Sequence, residues 1–255
     1  MTITTTHTIP TYTIPSVTSK NRLGEAFKPK RAGTKSAHIV FLLDDSGSMQ
    51  SCRKSTIEGF NEYVKSQKIH SVETGIPTFA SLYKFDGRSV TCVYDRKDIA
   101  NTPLLSEETY NPQGWTNLYD GIGGVMMQVN TALAQHKKAD RDSIIINILT
   151  DGQENSSRTF SNFDIKIMVE KAEGKNWGFM FLGANIDAFA VGSTMGFSAQ
   201  NTMQYDTSNM LNTMKTVARR SNDMKTAYAS GLGTSAVYAS TAFTEEELTS
   251  VRDKK

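Results

Sequence analysis

Acids and hydroxyls follow directly after two apolar segments of this sequence. The first segment is FLLDDSGSM, in which Asp44, Ser46 and Ser48 come after a run of apolar residues. The second is SIIINILTD, which ends in Asp151. Where a chain leaves a strand in an extended form, side chains two residues apart point to the same side. We therefore expect the oxygens of Asp44, Ser46 and Ser48 to converge, and Asp45 to point elsewhere.

These oxygens are the ligand types that hard divalent cations prefer in proteins. Mg²⁺ in particular accepts a few protein oxygens and keeps several waters, whereas softer metals favour His or Cys. Ligands gather beyond the carboxyl ends of the strands in an open parallel sheet. Thr116 in GWTNLYDGI, just before a predicted helix, offers a further hydroxyl at that edge, and Asp151 offers a second carboxylate.

A structural explanation exists for each of these residues alone. Ser46 or Ser48 could cap the helix that follows them, and Thr116 could cap the helix that begins at Leu118. Asp151 with the glycine after it could be a turn signal. These roles are compatible with metal binding.

Short apolar runs alternate with segments of helical period from His38 onwards. The predicted strands are residues 38–43, 78–85, 90–94, 143–149, 177–182 and 202–205. Strands that are apolar throughout, such as SIIINIL, are typical of a parallel sheet covered by helices on both faces. The sequence therefore predicts an α/β domain over residues 36–255, with a doubly wound, mostly parallel sheet flanked by helices.

Apolar residues at helical spacing predict four helices, three between these strands and one after the last strand. The stripes comprise Ile57, Phe60 and Val64; Leu118, Ile122, Val125, Met126, Val129 and Leu133; Ile165, Met168, Val169 and Ala172; and Leu211, Met214, Val217 and Ala218. The third helix is expected to end near Gly174, where a glycine can take the left-handed conformation. Thr244 and Glu247 have the spacing of a capping box for a short terminal helix.

Residues 1–35 are predicted to be an extended or disordered arm and not a folded domain. The arm is rich in threonine, repeats Thr-Ile-Pro, and ends in a basic linker over residues 20–35. It could lie along a sheet edge of its own domain or of a neighbour. A basic linker can contact nucleic acid, but Phe27 alone is interleaved to stack on bases, so nucleic acid is the less favoured partner.

Asp44-x-Ser46-x-Ser48, Thr116 and Asp151 occur in that order on a matching pattern of strands and helices. In this respect the chain resembles the von Willebrand factor type A domains, which carry a metal-ion-dependent adhesion site. The segment FLGANIDAFAVGSTMG is similar to the fifth strand and following helix of small bacterial and bacteriophage members that have a single such domain. The resemblance covers about residues 36–255.

The resemblance implies a role for each site residue. Ser46 and Ser48 would bind Mg²⁺ or Mn²⁺ directly, and Thr116 would do so when a ligand is engaged. Asp44 and Asp151 would act largely through water or hydrogen bonds. Because the direct ligands are neutral hydroxyls, the ion keeps Lewis acidity for an anionic oxygen from outside, typically a Glu or Asp of a protein partner.

Three functions remain in competition, and a binding module is favoured over an enzyme. An aspartyl-phosphate phosphatase would need an acid where Ser46 stands, and a GxxxxGK[ST] phosphate loop is absent from the sequence. None of the four histidines, His7, His38, His70 and His136, is placed by sequence to activate Cys52. The second hypothesis is a structural component of a larger assembly such as a phage particle, anchored by the arm. A metal-dependent hydrolase is the least favoured.

Composition restricts the compartment in which we expect the protein. No apolar run approaches the roughly 20 residues that span a bilayer, and residues 1–20 do not resemble a secretory signal. We therefore expect no membrane contact and a cytoplasmic location, or association with a virion. The two cysteines, Cys52 and Cys92, are expected to be reduced, and Cys52 to have a structural role.

Overall fold

The fold is organised around a single sheet. A computed structural model describes residues 35–137 and 141–252, so residues 1–34, with nearly all of the predicted arm and linker, lie outside the described residues. The six strands in these ranges are β1 (Ala37–Asp44), β2 (Thr78–Phe85), β3 (Val90–Asp98), β4 (Ser143–Thr150), β5 (Trp177–Gly183) and β6 (Thr202–Gln204). Their order is β3-β2-β1-β4-β5-β6. Only β2 and β3 pair antiparallel among them, so the predicted mostly parallel sheet is confirmed.

Helices cover both faces of this sheet. They are α1 (Arg53–Thr74), α2 (Leu118–Ala134), α3 (Asn162–Glu173), α4 (Ala188–Thr194), α5 (Met210–Ala229), α6 (Thr234–Thr241) and α7 (Glu245–Ser250). Residues of α1 and α5 share one apolar core with Ile39 and Phe41 of β1. Residues of α2 and α3 share the other core with Val40 and Leu42 of the same strand. The doubly wound α/β architecture is thus confirmed.

The two central strands fix the place of the candidate site. Both β1 and β4 are buried along their whole length, since each has a strand on either side and helices on both faces. They pair in parallel with Leu43 opposite Leu149. The strands therefore end side by side, and Asp44 and Asp151 reach the same edge of the sheet.

Two details of the predicted helices differ from the structure. Helix α3 ends at Glu173, next to Gly174, as expected, but Gly174 is right-handed, with φ of −62°, and Asn176, with φ of 64°, takes the left-handed conformation two residues later. Asparagine tolerates this conformation better than most residues with a side chain. In α5, Leu211 is 41% exposed and Met210 is buried in its place, because the buried face begins one residue earlier than the stripe indicated. The capping box of Thr244 and Glu247 is confirmed.

The outer strands of the sheet differ in character from the central ones. At one edge, β6 is three residues long. At the other, β3 ends in the charged run Asp95 to Asp98, and its pairing with β2 shifts register between Ala80 and Tyr83. Arg96 in this run has a φ of 42°. The predicted strand 90–94 therefore continues four residues further than expected, through an irregular and polar segment.

A helix that spans a membrane must be both long and apolar. In residues 35–137 and 141–252, no helix combines the length and the apolar character needed to cross a bilayer.

A lysine of α5 is buried between the helices and the sheet. Lys225 is 1% exposed, and its Nζ has no hydrogen-bond partner among the described residues. Burial lowers the pKa of Lys225 to about 7, because the ammonium form loses its hydration without gaining a counter-charge. The unfolded chain keeps the ordinary, higher pKa. Folding therefore releases a proton from this lysine between the two pKa values, and stability rises with pH there.

We expect Lys225→Met to stabilise the protein at pH 7, because methionine fills the site without a charge to desolvate. The advantage should shrink by about 1.4 kcal/mol per unit as the pH rises from 7 towards 9, because the wild-type lysine is then neutral in the folded chain. Chemical denaturation at several pH values measures this effect. Lys215→Met, on the exposed face of the same helix, is the control and should show no such trend. A pH-independent difference for Lys225→Met would contradict the assignment.

Candidate metal centre

Asp44 lies at the end of β1 with both carboxylate oxygens engaged. Its Oδ1 accepts a hydrogen bond from the Ser46 backbone N–H at 2.8 Å, and its Oδ2 accepts one from Thr150 Oγ1 at 2.6 Å. The Tyr110 hydroxyl donates to the Asp44 carbonyl at 2.7 Å. Asp44 is fully buried. The carboxylate is therefore held in one orientation by two neighbouring segments of the chain.

The two serines and Asp151 form a continuous chain of oxygens. Ser46 Oγ and Ser48 Oγ are 3.2 Å apart, and Ser48 Oγ donates to Asp151 Oδ1 at 2.5 Å. The backbone is extended at Ser46, but a 3₁₀ helix begins at Gly47. The expected convergence is thus observed, yet the stated reason was wrong for Ser48. A tight helical turn brings its hydroxyl back towards the site.

The hydroxyl of Thr116 enters the same space from the loop before α2. A Cβ atom on Gly152 would lie 3.3 Å from Thr116 Oγ1 and 3.5 Å from Ser48 Oγ. Both hydroxyls therefore face one small space beside Gly152. The structure brings together all five residues that the sequence singled out: Asp44, Ser46, Ser48, Thr116 and Asp151.

The loop after β4 fixes the position of Thr116. The Thr116 N–H donates to Asn155 Oδ1 at 2.9 Å, and its carbonyl accepts from the N–H groups of Asn155 and Ser156 at 3.0 and 3.2 Å. Glu154 of the same loop accepts from the N–H of Tyr119, in the first turn of α2, at 3.0 Å. Thr116 is thus held on both sides of its peptide unit by the loop that carries Asp151.

The capping roles considered for the hydroxyls are wrong. Ser46 occupies the N-cap position of the 3₁₀ helix without a side-chain capping bond, and Asn117, not Thr116, occupies that of α2. Glu154 and Ser157 satisfy the first N–H groups of α2 instead. The hydroxyls of the site are therefore not used as helix caps.

The two carboxylates carry uncompensated negative charge. Burial raises the pKa of Asp44 to about 6, and the nearby Asp151 adds to the shift. Burial likewise raises the pKa of Asp151. Neither forms a salt bridge with a basic side chain in the described part of the chain. A cation in this space would favour the ionised form of both groups.

Asp45 points away from the site, as expected. Its Oδ2 forms a salt bridge with Lys84 Nζ at 2.7 Å, on the neighbouring strand β2. The charge of Asp45 is thus compensated by Lys84, whereas that of Asp44 is not. The two adjacent acids of FLLDDSGSM have separate roles.

The donor set fits a hard cation. It comprises two carboxylates and three hydroxyls, and residues 35–137 and 141–252 contain no group of three or more His, Cys, Asp or Glu side chains that could hold a metal ion. Cys52 is buried next to Met49, and burial raises the pKa of its thiol. Both cysteines are free, as expected. Oxygen donors of this kind suit Mg²⁺ or Mn²⁺.

Sequence reasoning missed two residues that hold the site together. Thr150 binds the Asp44 carboxylate, and its place at the end of an apolar strand next to Asp151 was a usable signal. Asn155 holds the backbone of Thr116 across a gap of 39 residues in sequence. No spacing rule in the sequence points to this contact.

Comparison with solved structures identifies the fold. The pilus adhesin SpaC from Lactobacillus rhamnosus GG is similar with a TM-score of 0.54 and 13% identity over 76% of this chain and 31% of SpaC. The proximal thread matrix protein 1 from the mussel byssus is similar with a TM-score of 0.51 and 13% identity over 72% of this chain and 48% of that protein. The chain spans about half the length of the mussel protein. No protein-family model matches the sequence, and no curated protein matches it.

These similarities concern the fold, since the identities are low. A second structure of the mussel protein has zinc in its metal-ion-dependent adhesion motif and matches this chain with a TM-score of 0.50 and 13% identity. The sheet order, the helices on both faces and these matches define the von Willebrand factor type A fold. The structural neighbours are thus proteins of the type A domain class, as the sequence predicted.

We expect Gly152→Ala to lower the affinity for Mn²⁺ by about tenfold or more, because its Cβ would occupy the space that the hydroxyls of Thr116 and Ser48 face. Isothermal titration with Mn²⁺ measures the affinity, and circular dichroism verifies the fold. Gly174→Ala is the matched control, since a Cβ there meets backbone oxygens only at ordinary contact distances of 3.6 and 3.8 Å. Equal affinities for the two variants would contradict this description of the site.

Proposed function

We propose that this domain is a divalent-cation-dependent protein-interaction module. Ser46, Ser48 and Thr116 would bind Mg²⁺ or Mn²⁺ through their hydroxyls, and Asp44 and Asp151 would balance its charge largely through hydrogen bonds and water. The bound ion would supply a Lewis-acidic position for an anionic oxygen from outside. A Glu or Asp side chain of a protein partner is the ligand that this chemistry favours.

One observation carries the proposal: three hydroxyls converge with two buried carboxylates that have no basic partner among the described residues. A cluster of this kind is costly without a cation, because ionised carboxylates lose hydration on burial. Neutral hydroxyl ligands leave most of the charge of a divalent ion uncompensated at close range. The site therefore attracts a further anionic group.

Several contacts favour binding over catalysis. Both carboxylate oxygens of Asp44 accept hydrogen bonds, one from the Ser46 N–H and one from Thr150 Oγ1, so Asp44 acts as a fixed acceptor. A general base needs a free lone pair within reach of a substrate proton. His38, near the opposite end of β1, is bonded to Ser81 and is remote from the site. We therefore assign no catalytic role.

The remaining expectations stay predictions. The role in a larger assembly anchored by the arm depends on residues 1–35, of which only residue 35 is described. The bacterial or bacteriophage type rests on the resemblance of the segment FLGANIDAFAVGSTMG, which no comparison tests. The division into an arm and a domain from residue 36, and the location in the cytoplasm or a virion, are likewise predictions. The choice between Mg²⁺ and Mn²⁺ depends on their concentrations in the cell as well as on the donor set.

Metal and carboxylate binding can be tested with three variants. Ser48→Ala and Asp44→Asn should each lower the affinity for Mn²⁺ about 10- to 100-fold, because each removes an oxygen or a charge from the site. Asp45→Asn is the matched control and should leave the affinity within about twofold, because that side chain pairs with Lys84 outside the site. Isothermal titration with Mn²⁺ and Mg²⁺ measures these affinities.

The same protein should bind the peptide Ac-Gly-Glu-Gly-NH₂ when Mn²⁺ is present. Binding should disappear in EDTA, and Ac-Gly-Gln-Gly-NH₂ should not bind, because the amide carries no negative charge. Bound peptide is detected from the broadening of its acetyl methyl NMR signal by Mn²⁺. Wild-type protein that binds no Mn²⁺, or that binds the Gln peptide as well as the Glu peptide, would exclude the proposed function.

A further inference from the structure

A large aromatic side chain is exposed beside the candidate metal centre. Trp115 is 70% exposed, although it immediately precedes the buried site residue Thr116. The other tryptophan of the chain, Trp177, is 4% exposed in the core. Tryptophan is among the residues that most often dominate the binding energy of protein interfaces. An exposed tryptophan next to the candidate metal centre is therefore a candidate contact for a partner.

The loop that carries Trp115 is built to hold it in this exposed position. A Cβ atom on Gly87, in the turn between β2 and β3, would lie 2.5 Å from Trp115 Cβ, so only glycine permits this contact. Gly114 has a φ of 85°, which favours glycine, and its carbonyl accepts a hydrogen bond from the Gly47 N–H at 3.0 Å. Thr116 is fixed on the other side. The backbone of Trp115 is thus anchored at both neighbours while the indole faces solvent.

Positive charge lies next to this tryptophan. The Arg88 guanidinium approaches Gly114, since a Cβ atom on that glycine would lie 3.9 Å from Arg88 Nη2. Arg88 is exposed, and its backbone N–H is bonded to Asp86 Oδ1 at 2.8 Å. A guanidinium at the edge of the metal site attracts carboxylates on approach. The surface beside the site thus combines an apolar ring with a cationic group.

We propose that Trp115 and Arg88, together with the metal centre, form one surface that binds an acidic protein segment in which an apolar side chain flanks the metal-binding carboxylate. This inference rests on the proposed function and specifies its partner. The carboxylate is attracted by the ion and by Arg88, and the neighbouring apolar side chain covers the indole of Trp115. Burial of an aromatic ring at an interface is a common source of affinity.

The charge around the site disfavours a nucleic acid more strongly than a peptide with a single carboxylate. Carboxylates outnumber basic side chains in the loops at this edge of the sheet, residues 44–53, 86–89, 106–120, 150–158 and 183–187. A nucleic acid carries a phosphate at every nucleotide and needs several basic contacts. A peptide with one carboxylate needs only the ion and a single basic neighbour.

The test compares Ac-Leu-Glu-Leu-NH₂ with Ac-Gly-Glu-Gly-NH₂ on the Mn²⁺-loaded protein, by the broadening of their acetyl methyl signals. We expect the Leu-flanked peptide to bind about tenfold more tightly. Trp115→Ala should remove this difference without changing the affinity for Mn²⁺, and Trp115→Phe should restore part of it. Arg88→Ala should weaken both peptides by the same factor, because it acts on the carboxylate and not on the flanking side chain.

Val72→Ala is the matched control, because Val72 is 85% exposed near the end of α1 and is remote from the site. It should leave both peptides unchanged. Equal binding of the two peptides to the wild-type protein would overturn the inference and leave the proposed function standing. Failure of both peptides to bind would exclude the proposed function as well. If an oligothymidylate of eight nucleotides bound more tightly than the Leu-flanked peptide, and if this binding depended on Trp115, the partner would be a nucleic acid and not an acidic protein segment.

Discussion

The parallel pairing of β1 with β4 is the constraint on which the site depends. Their register places Asp44 beside Thr150, so the carboxylate at the end of one strand accepts a hydrogen bond from the hydroxyl at the end of the next. Asp151 then follows at the same edge. Two carboxylates in this position repel each other and lose hydration, and the neighbouring serines and Thr116 supply the neutral oxygens of the candidate metal centre.

The loops around these strand ends form a connected scaffold. The loop after β4 carries Asp151, binds the backbone of Thr116 through Asn155, and caps α2 through Glu154. The position of one site residue is therefore tied to that of another by hydrogen bonds between their loops. In the function proposed above, such a preorganised arrangement would lower the cost of ordering the site on binding of an ion and a partner.

The sequence predicted the sheet, the helices and the convergence of the five candidate residues, because strand ends in a parallel sheet meet at one edge and because short spacings report local geometry. Features set by distant contacts were not predictable. The bond from Asn155 to Thr116, the burial of Lys225 and the exposure of Trp115 depend on which loops and helices meet in space. A local error arose after α3, where Asn176 and not Gly174 takes the left-handed conformation.

The outer strands affect how closely several copies of the domain can lie next to one another. An open sheet edge offers unpaired N–H and C=O groups to other copies and is a route to aggregation. Here one edge is only three residues long, and the other carries the charged run from Asp95 to Asp98 and a shifted register. Both edges resist pairing with a second sheet. Many copies could therefore be held close together, each with its metal-site face free, without polymerising through their backbones.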